Sequence, residues 1–442
     1  MAYKVGMVSL GCSKNQVDAE IMLALIQENG FELCADAEQC DVVIINTCGF
    51  IEDAKKESIE TILEFCQMKA EGKIKVVVVT GCLAERYQKE VALEIPEADV
   101  VLGIGCNGEI VKAIKQALAG ERVVSFADKA LMPLSGNRVL ANAPFFAYVK
   151  LADGCNNRCA FCAIPLIRGD FRSRPMEDVL DEVKRLAAQG VKEVNVVAQD
   201  TTRYGDDLYG RLVLPELLRE ICNIDGIRWV RILYCYPDRI TDELLEVMAQ
   251  EEKIVKYVDV PIQHANGEVL RAMNRKGNAD TLKALLQKIR DKVPGVVLRT
   301  TMIVGFPGET EEQFEELCNF IHEVKFERLG CFTYSREEDT PAAEMADQID
   351  PEVMQRRAEV LMTEQLSIAE EINKTFVGKT FTVMVEDMDE ESGLYYGRSY
   401  MDAPDIDTKV YFSSEEDLCP GDFVEVVIEN FVEYDLVGHI KE

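Results

Sequence analysis

The chain has 442 residues, 48% of them hydrophobic and 29% charged, which is a globular composition and too long for one small core. No uninterrupted apolar run reaches the roughly 18 residues of a membrane span. The start Met-Ala-Tyr-Lys-Val-Gly leads into a strand rather than a signal peptide, so we expect a cytoplasmic protein with no membrane partner. The net charge of −31 disfavours a nucleic-acid partner and favours a basic one, although an acidic surface also simply keeps a large protein soluble. Fifteen cysteines without a secretory signal indicate reduced thiols and metal ligation.

Residues 3–120 alternate apolar runs with amphipathic stretches, which predicts a parallel α/β domain. The predicted strands are 5–10, 42–47, 76–80 and 100–103. A cysteine with a glycine beside it follows each of the first three strands; the pairs are Gly11 and Cys12, Cys48 and Gly49, and Gly81 and Cys82. Because parallel strands end at one edge of the sheet, we expect these thiols to converge, and three thiolates hold three irons of a four-iron cluster. Inert packing is the alternative, and for any one of these cysteines alone it is the better one.

Residues 121–144 lose this periodicity and collect Pro, Gly, Ser and Asn, which predicts a linker. Residues 145–374 then contain six strand–helix units, which predict an open, incomplete α/β barrel. The predicted strands are 147–151, 193–198, 230–234, 257–261, 297–304 and 329–334, and the main helices are 176–189, 241–250, 279–293 and 311–324.

The loop after the first of these strands carries Cys155, Cys159 and Cys162 in the spacing C-x3-C-x2-C. Three cysteines so spaced hold three irons of a four-iron cluster and leave the fourth open for chemistry. A structural zinc site is the alternative, but zinc normally takes four ligands and no fourth Cys or His stands nearby in the sequence. With Phe161 before the third cysteine, the segment resembles the radical S-adenosylmethionine enzymes. That resemblance implies that the open iron binds S-adenosylmethionine, whose reductive cleavage yields a 5′-deoxyadenosyl radical.

Two further segments are candidates for ligand contact. The turn Ile303-Val304-Gly305-Phe306-Pro307-Gly308 resembles the segment after strand five that contacts the adenine in this family, so Phe161, Ile303, Gly305 and Gly308 are the candidate cofactor-binding residues. Taken alone, the turn could equally be a tight strand-to-helix connection. Three arginines, Arg168, Arg172 and Arg174, could touch a substrate or cofactor carboxylate or simply face solvent.

A polar helix over 351–374 leads to residues 375–442, where short strands and Gly-containing turns predict a small antiparallel β-barrel. Its predicted strands are 381–385, 409–412, 423–428 and 434–440. This unit has four basic residues against seventeen Asp and Glu, a net charge of −13 that would repel RNA. Asp387, Asp389, Glu390 and Glu391 are therefore candidate contacts for a basic protein substrate.

Two cysteine triads followed by a small β-barrel resemble the methylthiotransferases, whose barrel is called the TRAM domain. The segments Ser9-Leu10-Gly11-Cys12-Ser13-Lys14-Asn15, Asn46-Thr47-Cys48-Gly49-Phe50-Ile51 and Tyr234-Cys235-Tyr236-Pro237 resemble the branch called the RimO type, which modifies an aspartate of small-subunit ribosomal protein twelve. Transfer-RNA-modifying relatives, the MiaB type, more often read Gly-Cys-Gln-Met-Asn at the first of these places. Ser13 departs from the proline of many RimO sequences, whereas the six cluster cysteines show no departure.

The resemblance implies two [4Fe-4S] clusters, S-adenosylmethionine as radical and methyl source, and an electron donor such as flavodoxin or ferredoxin. It also implies sulfur insertion into a carbon–hydrogen bond at the β-carbon of an aspartate. Acid–base catalysis with the three histidines of this chain cannot activate such a bond, so we expect no acid–base catalytic residue. A transfer-RNA methylthiotransferase is the nearest alternative, and an iron–sulfur scaffold or electron-transfer protein a remoter one. The nine remaining cysteines are assigned to packing; they are Cys34, Cys40, Cys66, Cys106, Cys222, Cys235, Cys318, Cys331 and Cys419.

Overall fold

The computed structural model describes residues 3–441. The N-terminal part forms a six-stranded parallel sheet whose strands are β1 Lys4–Ser9, β2 Glu32–Leu33, β3 Val42–Thr47, β4 Val76–Gly81, β5 Val100–Leu102 and β6 Val123–Ser125. Its helices are α1 Ser13–Glu28, α2 Glu52–Ala70, α3 Cys82–Glu94 and α4 Ile110–Leu118. The strand order is β2-β1-β3-β4-β5-β6, and the Val- and Ile-rich central strands β3 and β4 are buried on both faces, as parallel strands require.

The parallel α/β prediction is confirmed, and the four strands predicted here are present with ends shifted by one residue at most. The short strands β2 and β6 were not predicted. Strand β6 lies inside the predicted linker 121–144 and pairs in parallel with β5, with Val123 opposite Val100. The sheet therefore extends beyond residue 120, while the bounds of the domains stay a prediction.

The central part forms a second six-stranded parallel sheet, in which each strand pairs with the next one along the chain. Its strands are β7 Phe146–Lys150, β10 Glu193–Val197, β11 Trp229–Ile232, β12 Ile254–Asp259, β13 Val297–Val304 and β14 Arg328–Thr333, and a small ribbon pairs β8 Ala152–Asp153 with β9 Arg172–Ser173. The helices are α5 Ile164–Arg168, α6 Met176–Ala188, α7 Asp206–Tyr209, α8 Leu214–Cys222, α9 Asp242–Gln250, α10 Gly267–Ala272, α11 Ala279–Lys292, α12 Glu311–Val324 and α13 Pro351–Lys374. The predicted open six-unit barrel is confirmed.

The two faces of this sheet differ in polarity. Apolar residues such as Val149 and Val196 pack against the surrounding helices. The opposite face carries buried polar groups, among them Glu193 and Arg231, which form an ion pair of 2.9 Å between Arg231 Nε and Glu193 Oε1. The concave side of the open barrel is therefore polar.

The C-terminal part is a closed five-stranded barrel in the order β15-β16-β17-β19-β18. Its strands are β15 Thr380–Met388, β16 Tyr395–Ser399, β17 Val410–Ser413, β18 Phe423–Val432 and β19 Asp435–Ile440. Four of its pairings are antiparallel, whereas β17 and β19 run parallel. The small β-barrel prediction is confirmed, and β16, which contains Gly397 and the buried polar residues Arg398 and Ser399, was not predicted.

The C-terminal barrel lies against the amino-terminal ends of the central strands. The rings of Trp229, which begins β11, and Phe423 pack edge to face with centroids 4.9 Å apart. Lys192, just before β10, donates to the Gly421 carbonyl at 2.7 Å. Tyr257 donates to Asp407 at 2.6 Å, so the loop between β16 and β17 enters the base of the open barrel. None of the helices within residues 3–441 combines the length and apolar character needed to cross a membrane.

A buried arginine of the predicted linker fastens the N-terminal part to the central part. Arg138 donates to Glu20 of α1, to Glu182 of α6 at 2.6 Å and to the Tyr148 carbonyl at 2.6 Å. Burial opposes ionisation of Glu182, yet the charges of Arg174 and Arg138 hold its pKa below the usual value. Both carboxylates therefore depend on arginine for compensation.

Replacing Arg138 by alanine should lower the free energy of unfolding by about 3–5 kcal/mol, because two carboxylates lose a buried counter-charge. Urea denaturation followed by circular dichroism measures this. The folded-state pKa of Glu182 is lowered, so its ion pairs contribute to the free energy of unfolding above the unfolded pKa of about 4.3, and this contribution is lost on acidification. The difference in the free energy of unfolding between the unmodified protein and Arg138→Ala should therefore shrink below that pH.

The matched control is Arg185→Ala. Arg185 is exposed on α6 and donates to the Gly136 carbonyl at 3.4 Å. Its removal should change the free energy of unfolding by no more than about 0.5 kcal/mol. Equal losses for the two variants would contradict a special role for Arg138.

Candidate active site

The three N-terminal cysteines stand at the carboxyl edge of the first sheet. Cys12 caps the amino end of α1, Cys48 follows β3, and Cys82 begins α3 directly after β4. Strands β3 and β4 pair in register up to Thr47 and Gly81, which places the latter two cysteines on adjacent strand ends. The edge predicted from the sequence is therefore where the structure places them.

Two glycines keep this edge free of side-chain atoms. Gly11 has φ +90°, and a Cβ atom at this position would lie 2.8 Å from Cys48 Sγ. Gly81 has φ +94°, and a Cβ atom there would lie 2.5 Å from the Thr47 backbone. Only glycine adopts these conformations without strain and leaves such space, so the donor set and its surroundings fit a bulky cluster.

Positive charge surrounds this triad. Arg168 donates through Nη2 to Cys82 Sγ at 3.3 Å and to Asn15 Oδ1 at 3.1 Å. Cys12 is exposed; desolvation by the surrounding protein atoms opposes its ionisation, but the charges of Lys14 and Arg168 bring its pKa below the usual value. Burial, assisted by Cys82, raises the pKa of Cys48 to about 12. A metal that takes thiolates must therefore displace protons here, and the two cations favour the resulting negative charge.

The second triad occupies the loop between β8 and α5. The Asn157 N–H donates to Cys155 Sγ at 3.5 Å, and Arg275 donates to Cys159 Sγ at 3.6 Å. Burial raises the pKa of Cys155 to about 11 and that of Cys162 to about 12. Donors aimed at sulfur fit a set of metal-bound thiolates, which accept such hydrogen bonds.

The structure brings the two triads together. Cys82 packs in one small buried cluster with Ala163 and Ile167 of the α5 segment, and Ala163 directly follows Cys162. Within residues 3–441, no three His, Cys, Asp or Glu side chains lie close enough to share a single metal ion. The cysteines of each triad are thus spaced more widely than the ligands of one ion.

The four candidate cofactor residues divide into two groups. Phe161 and Ile303 belong to one apolar cluster, together with Phe306. Gly305, at φ +75°, donates its N–H to Glu309, and the close approach that it permits is to Met354. Gly308, at φ +82°, has no atom within 4 Å of its Cβ position, so it borders open space. Contact of these residues with S-adenosylmethionine stays a prediction.

The three arginines of the following loop have different surroundings. Arg168 and Arg174 are buried, so the alternative that they face solvent is wrong. Arg174 pairs with Glu182 at 2.6 Å, and Arg168 pairs with Asp18 of α1. Arg172 is half-buried and donates to the Ala130 carbonyl at 2.6 Å.

Several polar groups near the second triad were missed. The Oε1 atom of Gln199 and both side-chain polar atoms of Asn195 are buried and have no hydrogen-bond partner among the described residues. Gln199 also donates to Asp153, two residues before Cys155, at 3.1 Å. Arg275 reaches Cys159 across 116 residues of sequence. No local pattern marks these residues, because their proximity to the triad comes from the barrel topology.

The acidic candidates lie at the end of β15, which contains Asp387, and on the turn from β15 to β16. Asp387, Glu390 and Glu391 are exposed, whereas Asp389 is half-buried and accepts hydrogen bonds from the N–H and hydroxyl of Ser392. Among the nine cysteines assigned to packing, Cys419 is exposed, so packing does not account for it.

Comparison with known proteins gives three domain matches. The radical SAM superfamily profile matches residues 149–321, the profile of an uncharacterized protein family, UPF0004, matches 4–103, and the TRAM domain profile matches 377–440. These matches cover the three parts of the fold.

Similar full-length proteins carry one name. The "Ribosomal protein uS12 methylthiotransferase RimO" of Lachnoclostridium phytofermentans is 49% identical over 436 residues, 98% of this chain and 99% of that protein. The protein of the same name from Clostridioides difficile is 47% identical, covering 99% of this chain and 98% of that protein. The solved structure of the radical S-adenosylmethionine methyltransferase TsrM from Kitasatospora setae is 15% identical with a TM-score of 0.58, covering 86% of this chain and 79% of that one, which shows a shared fold alone.

Proposed function

The chain belongs to the RimO family of ribosomal protein uS12 methylthiotransferases, and we propose that it adds a methylthio group to the β-carbon of an aspartate of uS12 with two [4Fe-4S] clusters, one on each cysteine triad. The enzyme is a radical SAM methylthiotransferase. The observation that carries the two-cluster proposal is the packing of Cys82 against the segment that begins directly after Cys162. Two clusters held there would face one shared reaction space.

On the central sheet, Cys155, Cys159 and Cys162 would bind three irons of the radical-forming cluster. With S-adenosylmethionine bound at the open iron, this cluster supplies the 5′-deoxyadenosyl radical that abstracts hydrogen from carbon. Asn157 and Arg275 stabilise the thiolates by donating to their sulfurs. The unpartnered Gln199 Oε1 is an acceptor for the cofactor's amino group, and Phe161 and Ile303 form an apolar wall that excludes water.

On the first sheet, Cys12, Cys48 and Cys82 would hold the second cluster, which would supply the site for the sulfur to be transferred. Arg168 stabilises the negative charge of this triad through its contact with Cys82. The radical precursor would require one electron from a donor of the flavodoxin or ferredoxin class. We place the reaction in the cytoplasm, where its ribosomal substrate is made and thiols stay reduced.

A transfer RNA is the alternative substrate. Two observations favour a protein: the relatives named for uS12 align over nearly the whole chain, and residues 375–442 carry a net charge of −13. Ribosomal proteins are generally basic, so an acidic unit attracts such a partner and repels RNA. Asp387, Asp389, Glu390 and Glu391 are the proposed contacts of first encounter.

Replacing either triad by three alanines should halve the iron of the reconstituted protein, because each triad would hold one of two clusters. Loss of Cys155, Cys159 and Cys162 should abolish reductive cleavage of S-adenosylmethionine, whereas loss of the N-terminal triad should leave cleavage partly intact and block methylthiolation. Iron analysis and chromatography of 5′-deoxyadenosine give both values. Full iron content without Cys12, Cys48 and Cys82 would refute the second cluster.

A methyl group added at Gly11 should also disturb the cluster proposed on the N-terminal triad. Gly11→Ala places a Cβ atom 2.8 Å from Cys48 Sγ in a left-handed backbone conformation, so the thiol must move. We expect loss of the N-terminal half of the iron. Gly30→Ala is the control, because Gly30 is left-handed as well, with φ +85°, but has no atom within 4 Å of its Cβ position. An equal iron loss in both variants would point to backbone strain instead of crowding at the cluster.

Charge reversal of Asp387, Glu390 and Glu391 to lysine should slow association with uS12, and the difference should fade as salt screens charges over a Debye length of roughly 8 Å. Asp389 is left in place because it holds the turn through Ser392. Stopped-flow binding to uS12 and to transfer RNA across a salt series is the measurement. The matched control reverses three other exposed acids of the barrel, Glu415, Glu416 and Asp417.

Equal slowing by both sets of substitutions would assign the effect to the whole barrel and not to the turn. Tight, salt-sensitive binding of the unmodified protein to transfer RNA, with none to uS12, would replace the proposed substrate by the alternative one.

A further inference from the structure

Lys14 is a largely buried lysine whose ammonium pairs with no carboxylate. The Lys14 residue is only 6% exposed. Among the described residues its ammonium has no hydrogen bond or ion pair, and it lies 3.1 Å from the centroid of the Tyr234 ring. The other two buried lysines within residues 3–441 are paired, Lys55 with Glu337 at 3.3 Å and Lys150 with Asp18. Lys14 therefore differs from both in having no carboxylate partner.

The nearest carboxylate on the same helix is already occupied. Asp18 lies one turn further along α1, but its oxygens accept from Lys150 and Arg168. Arg168 also reaches Asp153, at 3.4 Å. Two carboxylates thus face three cations around this point, and Lys14 is the cation that pairs with neither carboxylate. The residue is largely buried, but its ammonium is not sealed from solvent, so it can take an anion from outside the chain.

The position of Lys14 shows where that anion would come from. Tyr234 follows β11 at the carboxyl edge of the central sheet, and Lys14 is two residues from Cys12 of the other triad. The Tyr234 backbone is left-handed, with φ 61°, and is held by its N–H donating to Asp259 at 2.8 Å and its carbonyl accepting from Thr201 at 3.0 Å. Strain of this kind persists where a side chain is held for function. Lys14 thus lies where the helix that follows Cys12 meets the carboxyl edge of the central sheet, against a fixed aromatic ring.

Resting on the proposed function, we propose that Lys14 binds the side-chain carboxylate of the uS12 aspartate that is modified. The carboxylate is attached directly to the β-carbon, so an ion pair with Lys14 fixes the reacting carbon between the two triads. Methylthiolation leaves the carboxylate intact, so the contact holds for substrate and product alike. Lys14 would also reject asparagine, which offers no charge.

The rival anion is the N-terminal cluster itself, since three thiolates give it negative charge. Geometry favours the substrate. The charge of Lys14 does lower the pKa of Cys12, but the hydrogen bond to a sulfur of this triad comes from Arg168, and the Lys14 ammonium lies over the Tyr234 ring at the edge of the other sheet. The experiment below separates these two partners.

Lys14→Met removes the charge and keeps an unbranched chain of similar length. In the enzyme reconstituted with both clusters, fluorescence anisotropy measures binding of a uS12 loop peptide that carries the target aspartate, and of the same peptide with asparagine. We expect the unmodified enzyme to bind the aspartate peptide about 10- to 100-fold more tightly, the range of a charge-assisted hydrogen bond. The Met variant should bind both peptides equally, and Lys14→Arg, which keeps the charge, should restore the preference.

Lys56→Met is the control, because it makes the same charge change at an exposed lysine of the same domain and should keep the preference for aspartate. Iron content and the electron paramagnetic resonance spectrum of the N-terminal cluster are recorded for every variant. An unchanged preference in Lys14→Met overturns the role of Lys14. If Lys14→Met loses the signal of the N-terminal cluster, Lys14→Gln, which also removes the charge, is measured with both clusters in place, and an unchanged preference there overturns the role as well. If the unmodified enzyme binds neither peptide but binds transfer RNA, the proposed function fails instead.

Discussion

The geometry of the whole site depends on one buried ion network between the first and second sheets. Asp18 of α1 accepts from Lys150 at the end of β7 and from Arg168 at the end of α5, and Arg168 continues to Cys82. Burial opposes ionisation of Asp153, yet Lys150 and Arg168 keep its pKa below the usual value. Buried ion pairs of this kind add little net stability, but they fix the relative orientation of the elements that they join. Here they set how the two triads face each other.

The two ends of the central sheet contact different parts of the molecule. The triads stand at the carboxyl ends of the strands, while the small barrel covers the amino ends and fills the base of the open barrel through Asp407. Arg398 of the small barrel also pairs with Glu193 inside the central sheet, at 2.8 Å. A substrate must therefore enter from the carboxyl side. The small barrel lies at the end of the central sheet opposite the triads, which suits the proposed role of its acidic surface in steering the encounter and not in holding the reacting residue.

The sequence predicted features that repeat locally, and it missed those that tertiary contacts create. Helix α13 and the strands after which the cysteines stand were predictable, because period and spacing mark them. Strand β6 was not, since three residues in a stretch rich in turn-forming residues give no periodic signal. For Arg168 the sequence left open contact with a substrate or cofactor carboxylate and exposure to solvent. In the structure it pairs with Asp18, which lies 150 residues away in the sequence. Pairing over such distances follows from how the sheets meet, which no local pattern encodes.

Contacts between residues that are distant in the sequence also explain why the residues proposed to select the substrate could not be identified from sequence alone. The segments that resemble the protein-modifying branch, around Lys14 and at Tyr234, are 220 positions apart and seem unrelated until the fold places the ammonium over the ring. They form one contact between the two sheets, at the gap where the triads meet. The distinction between a carboxylate and a nucleobase then needs a charge at that contact, and under our proposal Lys14 of α1, two residues after Cys12, supplies it. The proposed recognition of the reacting residue thus lies at the junction of the two sheets that carry the cysteine triads, while the role proposed for the acidic barrel is limited to how the partner arrives.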